Sequence, residues 1–220
     1  MSATLQKILL VCLFPLSVAL SQEPVTVHLD TTEVPEYAEW GRTAQRLMQD
    51  WYPRITNLLS SPSATSPSEI SLKLKQSEKG IAATSGTKIV VFSSWIEKHP
   101  EDFGVVIHEL THVIQQYPSK NPGWVTEGIA DYIRWAIYEG KPLRFFPVPK
   151  GDDGYKKGYQ VAAGFFLWLE TYEAPGIVRR LNTAMRNSEF EISLFKKLTG
   201  DDIDTLWKRY ATERHQTKQD

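Results

Sequence analysis

The chain has 220 residues, of which 41% are hydrophobic and 23% are charged, and its formal net charge is −1. This composition is typical of a soluble protein that is long enough to bury one well-packed core. Because positive and negative residues are interspersed, nothing in the sequence favours binding to nucleic acid or to an anionic membrane surface. We therefore expect a single globular domain, and we expect it to be a monomer.

The first 21 residues have the pattern of a secretory signal peptide. Residues 1–7 carry one positive charge, residues 8–20 form an apolar run, and small residues precede Gln22. Such a run is too short for a membrane span, although an uncleaved anchor is the alternative. The only cysteine, Cys12, lies inside this segment, so the mature protein would have no disulfide. We expect a secreted or periplasmic protein with one domain at residues 22–212 and a polar tail at residues 213–220.

The hydrophobic pattern predicts strands in the first part of the chain and helices in the second. Residues 25–29 and 70–74 alternate as strands do, and residues 80–84 and 87–92 flank Ser85-Gly86 as in a hairpin. Residues 36–59 follow helical spacing, and further helices are predicted over 101–117, 124–138, 155–172, 177–185, 192–198 and 203–212. The fold class is therefore α+β, a small N-terminal sheet followed by a mostly helical C-terminal half.

The segment His108-Glu109-Leu110-Thr111-His112 carries the H-E-x-x-H pattern on a predicted helix. Because side chains at i and i+4 lie on the same helix face, His108 and His112 can bind one metal ion without distorting the backbone. With five histidines in 220 residues, chance would produce this pattern in about one of a hundred shuffled chains. The alternative is an amphipathic helix that exposes these residues to water.

A third ligand is expected on the following helix, in the segment Trp124-Val125-Thr126-Glu127-Gly128-Ile129-Ala130-Asp131-Tyr132. A catalytic zinc site takes three protein ligands, and two histidines with one glutamate are a known set. We assign Glu127 to the metal. Asp131, on the same helix face, would accept the spare N–H of a ligating histidine. In the alternative, both carboxylates are surface residues that pair with Arg134.

These residues predict the hydrolysis of peptide bonds with one catalytic Zn²⁺ ion. Zinc would lower the pKa of a water towards about 7, and Glu109 would act as the general base that passes the proton to the leaving amine. A tyrosine could donate a hydrogen bond to the developing oxyanion. We favour Tyr159 over Tyr155 for this role, with packing as the alternative for both. Residues 80–83 are a candidate edge strand for the peptide backbone, and an ordinary edge strand is the alternative.

Three segments of the chain resemble the plant-type basic secretory proteins, a family of zincin-class zinc peptidases. The segments are residues 106–113, residues 123–134 and residues 158–166, and residues 206–210 are also similar. The resemblance implies a zincin-like fold, a secreted zinc peptidase and a glutamate as the third ligand. The family name describes basic proteins, whereas this chain has a formal net charge of −1.

The sequence leaves two candidate functions. The first is a secreted zinc metallopeptidase that acts on peptide or protein substrates. The alternative is a zincin-fold protein that binds zinc, for example in defence, without significant proteolysis. The presence of Glu109 favours the first function, because a site that only binds zinc has no need of a general base.

Overall fold

The computed structural model describes residues 25–62, 65–119 and 122–216. The predicted signal peptide and Cys12 lie outside these residues. The described part is an α+β fold in which all the strands precede residue 93 and most helices follow it, as the sequence predicts. None of the helices in the described ranges is both long and apolar enough to cross a membrane.

The four strands of the described chain form one sheet with the order β1-β2-β4-β3. Their bounds are β1 (Thr26–Asp30), β2 (Glu69–Lys75), β3 (Ala82–Ser85) and β4 (Lys88–Phe92). The parallel pair β1 and β2 is connected through a long helix, and β4 adds parallel to β2. The hairpin partner β3 pairs antiparallel with β4 and forms the edge of the sheet. Successive side chains of β2 point to opposite faces of the sheet, and those of Ile70, Leu72 and Leu74 are buried on one face.

The described residues contain eight α-helices, of which α1, α2 and α3 pack against the sheet. They are α1 (Ala38–Leu58), α2 (Ser93–Lys98), α3 (Gly104–Gln115), α4 (Gly123–Asp131), α5 (Tyr159–Trp168), α6 (Ile177–Arg186), α7 (Leu194–Thr199) and α8 (Ile203–Gln216). Two of them, α4 and α5, continue as π-helical segments at Tyr132–Tyr138 and Leu169–Glu173. Short 3-10 turns lie at Pro35–Tyr37, Leu143–Phe145 and Gly154–Lys157.

Several predicted boundaries differ from the observed ones, and two of the differences lie at the start of α3 and the end of α8. The motif helix α3 begins at Gly104, three residues after the predicted start, because residues 101–103 form turns. The last helix was predicted to end at residue 212, whereas α8 runs to Gln216. Arg214 is only 4% exposed and donates a hydrogen bond to the carbonyl of Phe146, while Glu213 accepts one from the Trp168 indole. These tertiary contacts hold the last turn of α8 in place despite its polar sequence.

The motif helix α3 lies in the middle of the fold. It packs against α1, α4 and the edge strand β3. Every residue from Gly104 to Gln115 except His112 is buried. The spacing of hydrophobic residues in this helix predicts burial of one face only. The second face is covered because α4 and β3 close over it. The two motif histidines are therefore held by a rigid helix whose orientation is fixed on all sides.

The helix α4 approaches α5 closely at Gly128. A Cβ atom added there would lie 2.6 Å from Cβ of Ala162 and 2.9 Å from the ring of Phe166. Both distances are shorter than van der Waals contact, so any side chain at this position would push the helices apart. Because α4 carries Glu127 and Asp131, this contact with α5 helps to fix the position of both carboxylates.

Gly128→Ala is expected to lower the free energy of unfolding by about 1–3 kcal/mol, as overpacked cores do. Urea denaturation measures the change. Gly123→Ala is the matched control, because Gly123 opens the same helix and a Cβ there has nothing within 4 Å. Since alanine favours helix over glycine, the control should be neutral or slightly stabilising. Equal stability of the two variants would contradict the close packing of α4 on α5.

Candidate metal centre

Two helices bring His108, His112 and Glu127 to one point. The Nε2 atoms of His108 and His112 are 3.0 Å apart. Glu127 Oε2 lies 3.2 Å from Nε2 of His108 and 3.4 Å from Nε2 of His112. These three atoms form a nearly equilateral triangle. Among the described residues, His108, His112 and Glu127 lie close enough together to hold one metal ion.

The dimensions of this triangle fit a zinc ion. Zinc bonds of 2.0–2.1 Å with tetrahedral angles separate neighbouring ligand atoms by about 3.3–3.4 Å. The observed separations of 3.0 to 3.4 Å fall at or just below this value. Two imidazoles with one carboxylate are also a set that suits zinc, whereas calcium and magnesium prefer oxygen ligands alone. Three protein ligands leave one position open, as in catalytic zinc sites.

Both histidines are oriented by a partner behind the ring. The Nδ1 atom of His108 lies 2.7 Å from Oδ1 of Asp131, and Nδ1 of His112 lies 2.8 Å from Oε1 of Gln115. Gln115 also donates to the carbonyl of Thr126 on α4, at 2.9 Å. Since Asp131 and the Gln115 oxygen are acceptors, the neutral form of each ring carries its proton on Nδ1, and its Nε2 lone pair then points at the shared centre.

Without a metal ion, charges in the site compensate one another. Burial lowers the pKa of His108, but hydrogen bonds with Asp131 and Glu127 outweigh it and raise that pKa to about 9. Burial raises the pKa of Glu127, but hydrogen bonds with His108 and His112 outweigh it and hold that pKa well below its usual range. The site thus favours a positive charge at its centre, which a metal ion would also supply.

The carboxylate of Glu109 is fixed by the edge strand. Glu109 is 7% exposed, and Thr84 on β3 donates its hydroxyl to Oε2 of Glu109 at 2.6 Å. The same hydroxyl lies 3.2 Å from the carbonyl oxygen of Glu109. One carboxylate oxygen is therefore held against β3. Thr84 was not predicted from the sequence, since nothing local connects it to a residue 25 positions later.

Only one of the two candidate tyrosines lies in the cleft. Tyr159 is 57% exposed, and its ring is nearly parallel to that of His108 with the centroids 6.4 Å apart. It has a φ of +45°, and the preceding Gly158 has a φ of +67°, so the backbone enters α5 in a strained conformation. The charge of Glu127 raises the pKa of Tyr159, which keeps the phenol protonated. Tyr155 is buried and donates to Asp204 at 2.8 Å.

The cleft over these residues has a volume of about 600 Å³. It is lined by Ile81 and residues of β3 and by the segment from Lys157 to Val161. His108, Glu109, His112, Glu127, Asp131 and Tyr159 all line it, so the structure brings together the complete set of predicted site residues.

Arg134 does not pair with the α4 carboxylates. Its Nη2 atom lies 2.7 Å from Asp102 and its Nε atom lies 3.4 Å from Glu139. The alternative prediction, in which Glu127 and Asp131 are surface residues that meet Arg134, is therefore wrong. Both carboxylates face the motif histidines instead.

Asp131→Leu is expected to weaken zinc binding about 10- to 100-fold, because it removes the acceptor that orients His108. Asp131→Asn should have a smaller effect, since the amide oxygen can still accept the Nδ1 proton. Competition with a chromophoric chelator measures the affinity. As a control, Asp204→Leu removes a carboxylate that accepts from Tyr155 and should leave zinc affinity unchanged. An equal loss in both leucine variants would contradict the orienting role of Asp131.

A comparison with known proteins gives one match. Residues 29–210, most of the chain, match the sequence model of the family BSP, described as peptidase of plants and bacteria. No curated protein and no solved structure matches the chain.

Proposed function

The chain belongs to the BSP family of peptidases of plants and bacteria, and from this membership and the geometry of the cleft we propose that it is a secreted or periplasmic zinc metallopeptidase with a zincin-like fold. The proposed metal ligands are His108, His112 and Glu127. The observation that carries the proposal is the convergence of these three donors, 3.0 to 3.4 Å apart, beside the buried carboxylate of Glu109.

A zinc ion bound by the three ligands would polarise the scissile carbonyl and lower the pKa of a water to about 7. Glu109 takes one proton from the attacking water while the oxygen of that water bonds to the carbonyl carbon. When the C–N bond breaks, Glu109 returns this proton to the nitrogen of the leaving amine. Thr84 holds one carboxylate oxygen and thereby directs the other towards the cleft.

Tyr159 is the proposed donor to the oxyanion that forms during the attack. Its pKa is raised, so the hydroxyl keeps the proton that it must donate. The unusual φ of Tyr159 directs the side chain into the cleft, and functional sites are where such backbone strain is concentrated.

The proposal is tested by incubating the protein from Gln22 onward with a mixed peptide library, with and without 1,10-phenanthroline. We expect cleavage that the chelator abolishes and that added zinc restores to at least half of the original rate. Magnesium and calcium should not restore it. Cleavage that persists in the chelator would contradict the metal-dependent mechanism. A protein that holds zinc but cleaves no peptide would support the zinc-binding alternative instead.

A further inference from the structure

The cleft extends beyond the metal centre in both directions along β3. At one end it opens into a cavity of about 880 Å³, here called the Ile81 pocket, which shares Ile81, Arg134, Trp135 and Gln160 with the central cleft. At the other end a cavity of about 250 Å³, here called the Ser85 pocket, shares Thr84 and His112 with the central cleft. The described residues therefore leave space on both sides of the metal centre.

The strand β3 is placed to align an extended peptide through these three cavities. It pairs with β4 on one side only, and its residues line the cleft on the other. The hydroxyl of Thr84 touches Glu109 and so marks the position of the reacting bond. Because a strand rises about 3.3 Å per residue, Ile81 is about 10 Å from Thr84 along β3. A peptide residue at the Ile81 pocket is therefore two or three positions from the cleaved bond.

The walls of the Ile81 pocket combine aromatic rings with negative charge. Trp95, Phe103 and Tyr138 contribute aromatic surface to it, and Trp135 does so with one face covered by the guanidinium of Arg134, which lies 4.1 Å from the ring centroid. Its charged side chains are the carboxylates of Glu101, Asp102 and Glu139 and the guanidinium of Arg134.

Arg134 bridges Asp102 and Glu139, and Lys141, outside the pocket, lies 3.4 Å from Glu139. Even when Lys141 is counted, the carboxylates exceed the cations by one. Glu101 is exposed and supplies this excess. Aromatic faces and a carboxylate together suit a long cationic side chain, whose stem lies on the rings while its head meets the charge.

We propose that the protein is an endopeptidase whose cleft binds substrate on both sides of the cleaved bond, with an arginine or lysine side chain in the Ile81 pocket. This proposal rests on the peptidase function proposed above. It adds the mode of cleavage and the substrate class. The whole chain is almost neutral, so the preference arises from the local charge of the pocket.

The test uses peptides of eight residues with an acetylated N-terminus and an amidated C-terminus. Single arginine, norleucine or glutamate residues are placed in turn at the second and third positions on each side of the cleaved bond. We expect blocked peptides to be cleaved internally, and at one position kcat/KM should be at least fivefold higher for arginine than for norleucine. Glutamate at that position should lower kcat/KM below norleucine.

The variant Glu101→Gln removes the excess charge without touching the metal ligands. The ratio of kcat/KM for arginine over norleucine should fall about threefold to fivefold, as expected for one exposed charge pair. Glu191→Gln, at an exposed position outside the cleft, is the matched control and should keep the native ratio. An equal ratio in native protein and Glu101→Gln would overturn the role of the pocket.

The outcomes separate this proposal from the peptidase function itself. Cleavage of peptides only when one terminus is free would overturn the endopeptidase mode and leave the peptidase function standing. Internal cleavage with no preference for arginine at any position would overturn the pocket assignment alone. If no peptide is cleaved, whether blocked or free, the result contradicts the peptidase function and also the endopeptidase proposal that rests on it.

Discussion

Replacing Glu109 with glutamine is expected to lower kcat for peptide hydrolysis at least 10³-fold while the protein still binds one equivalent of zinc. Glutamine has nearly the same shape as glutamate but cannot take a proton from water. General acid–base groups contribute about 10²- to 10⁴-fold, and Glu109 is proposed to act in both proton transfers. The measurement is single-substrate kinetics on a blocked peptide, together with the zinc content of both proteins.

The glutamine variant should also keep its fold. Thr84 can rotate its hydroxyl to hydrogen-bond with an amide in place of the carboxylate, so the contact between β3 and α3 survives. Circular dichroism and urea unfolding serve as controls. A variant that binds zinc, is as stable as native and retains more than a tenth of the native kcat would show that Glu109 is not the base.

Replacing Glu127 with alanine is expected to weaken zinc binding by several orders of magnitude and to abolish hydrolysis at low zinc concentrations. Two histidine ligands would remain, and the charge of the carboxylate that balances the metal would be lost. Because Glu127 is one of the three proposed ligands, its loss should exceed the 10- to 100-fold effect expected for an orienting residue such as Asp131. Isothermal titration of the metal-free protein with zinc measures the loss.

A matched control for Glu127→Ala is Glu139→Ala. Glu139 is also a partly buried carboxylate, but it lies in the Ile81 pocket and pairs with Arg134 and Lys141 instead of the histidines. Its replacement should leave zinc affinity within about twofold of native. If both variants lose zinc equally, the third ligand has been assigned incorrectly, and loss of fold must then be examined by circular dichroism.

The centre of the site could be predicted from the sequence because the relevant spacing is local. Residues four apart on a helix share a face, so His108 with His112 and Glu127 with Asp131 could be paired before any tertiary contact was known. The distance between the two helices could not be predicted. It depends on how α4 packs against all of its neighbours, which include α3 and, at Gly128, Ala162 and Phe166 of α5.

Two residues of the site, Gln115 and Thr84, were not predicted from the sequence. Gln115 follows His112 by three residues on α3, and this spacing could have suggested a partner for the ring. Thr84 had no such signal, because it reaches Glu109 only after β3 has been placed at the sheet edge. The extent of burial of α3 was also underestimated, since a helix pattern does not reveal which neighbours cover its polar face.

The most direct test of the central claim is to titrate metal-free native protein with zinc while the rate of cleavage of one blocked peptide is recorded. The proposed mechanism predicts no cleavage without metal, a linear rise in rate up to one zinc per chain, and a plateau beyond it. Glu109→Gln, titrated in parallel, should bind zinc to the same endpoint without gaining activity. A metal-free protein that cleaves the peptide at the native rate, or a rate that does not respond to zinc, would contradict the claim that this chain is a zinc peptidase.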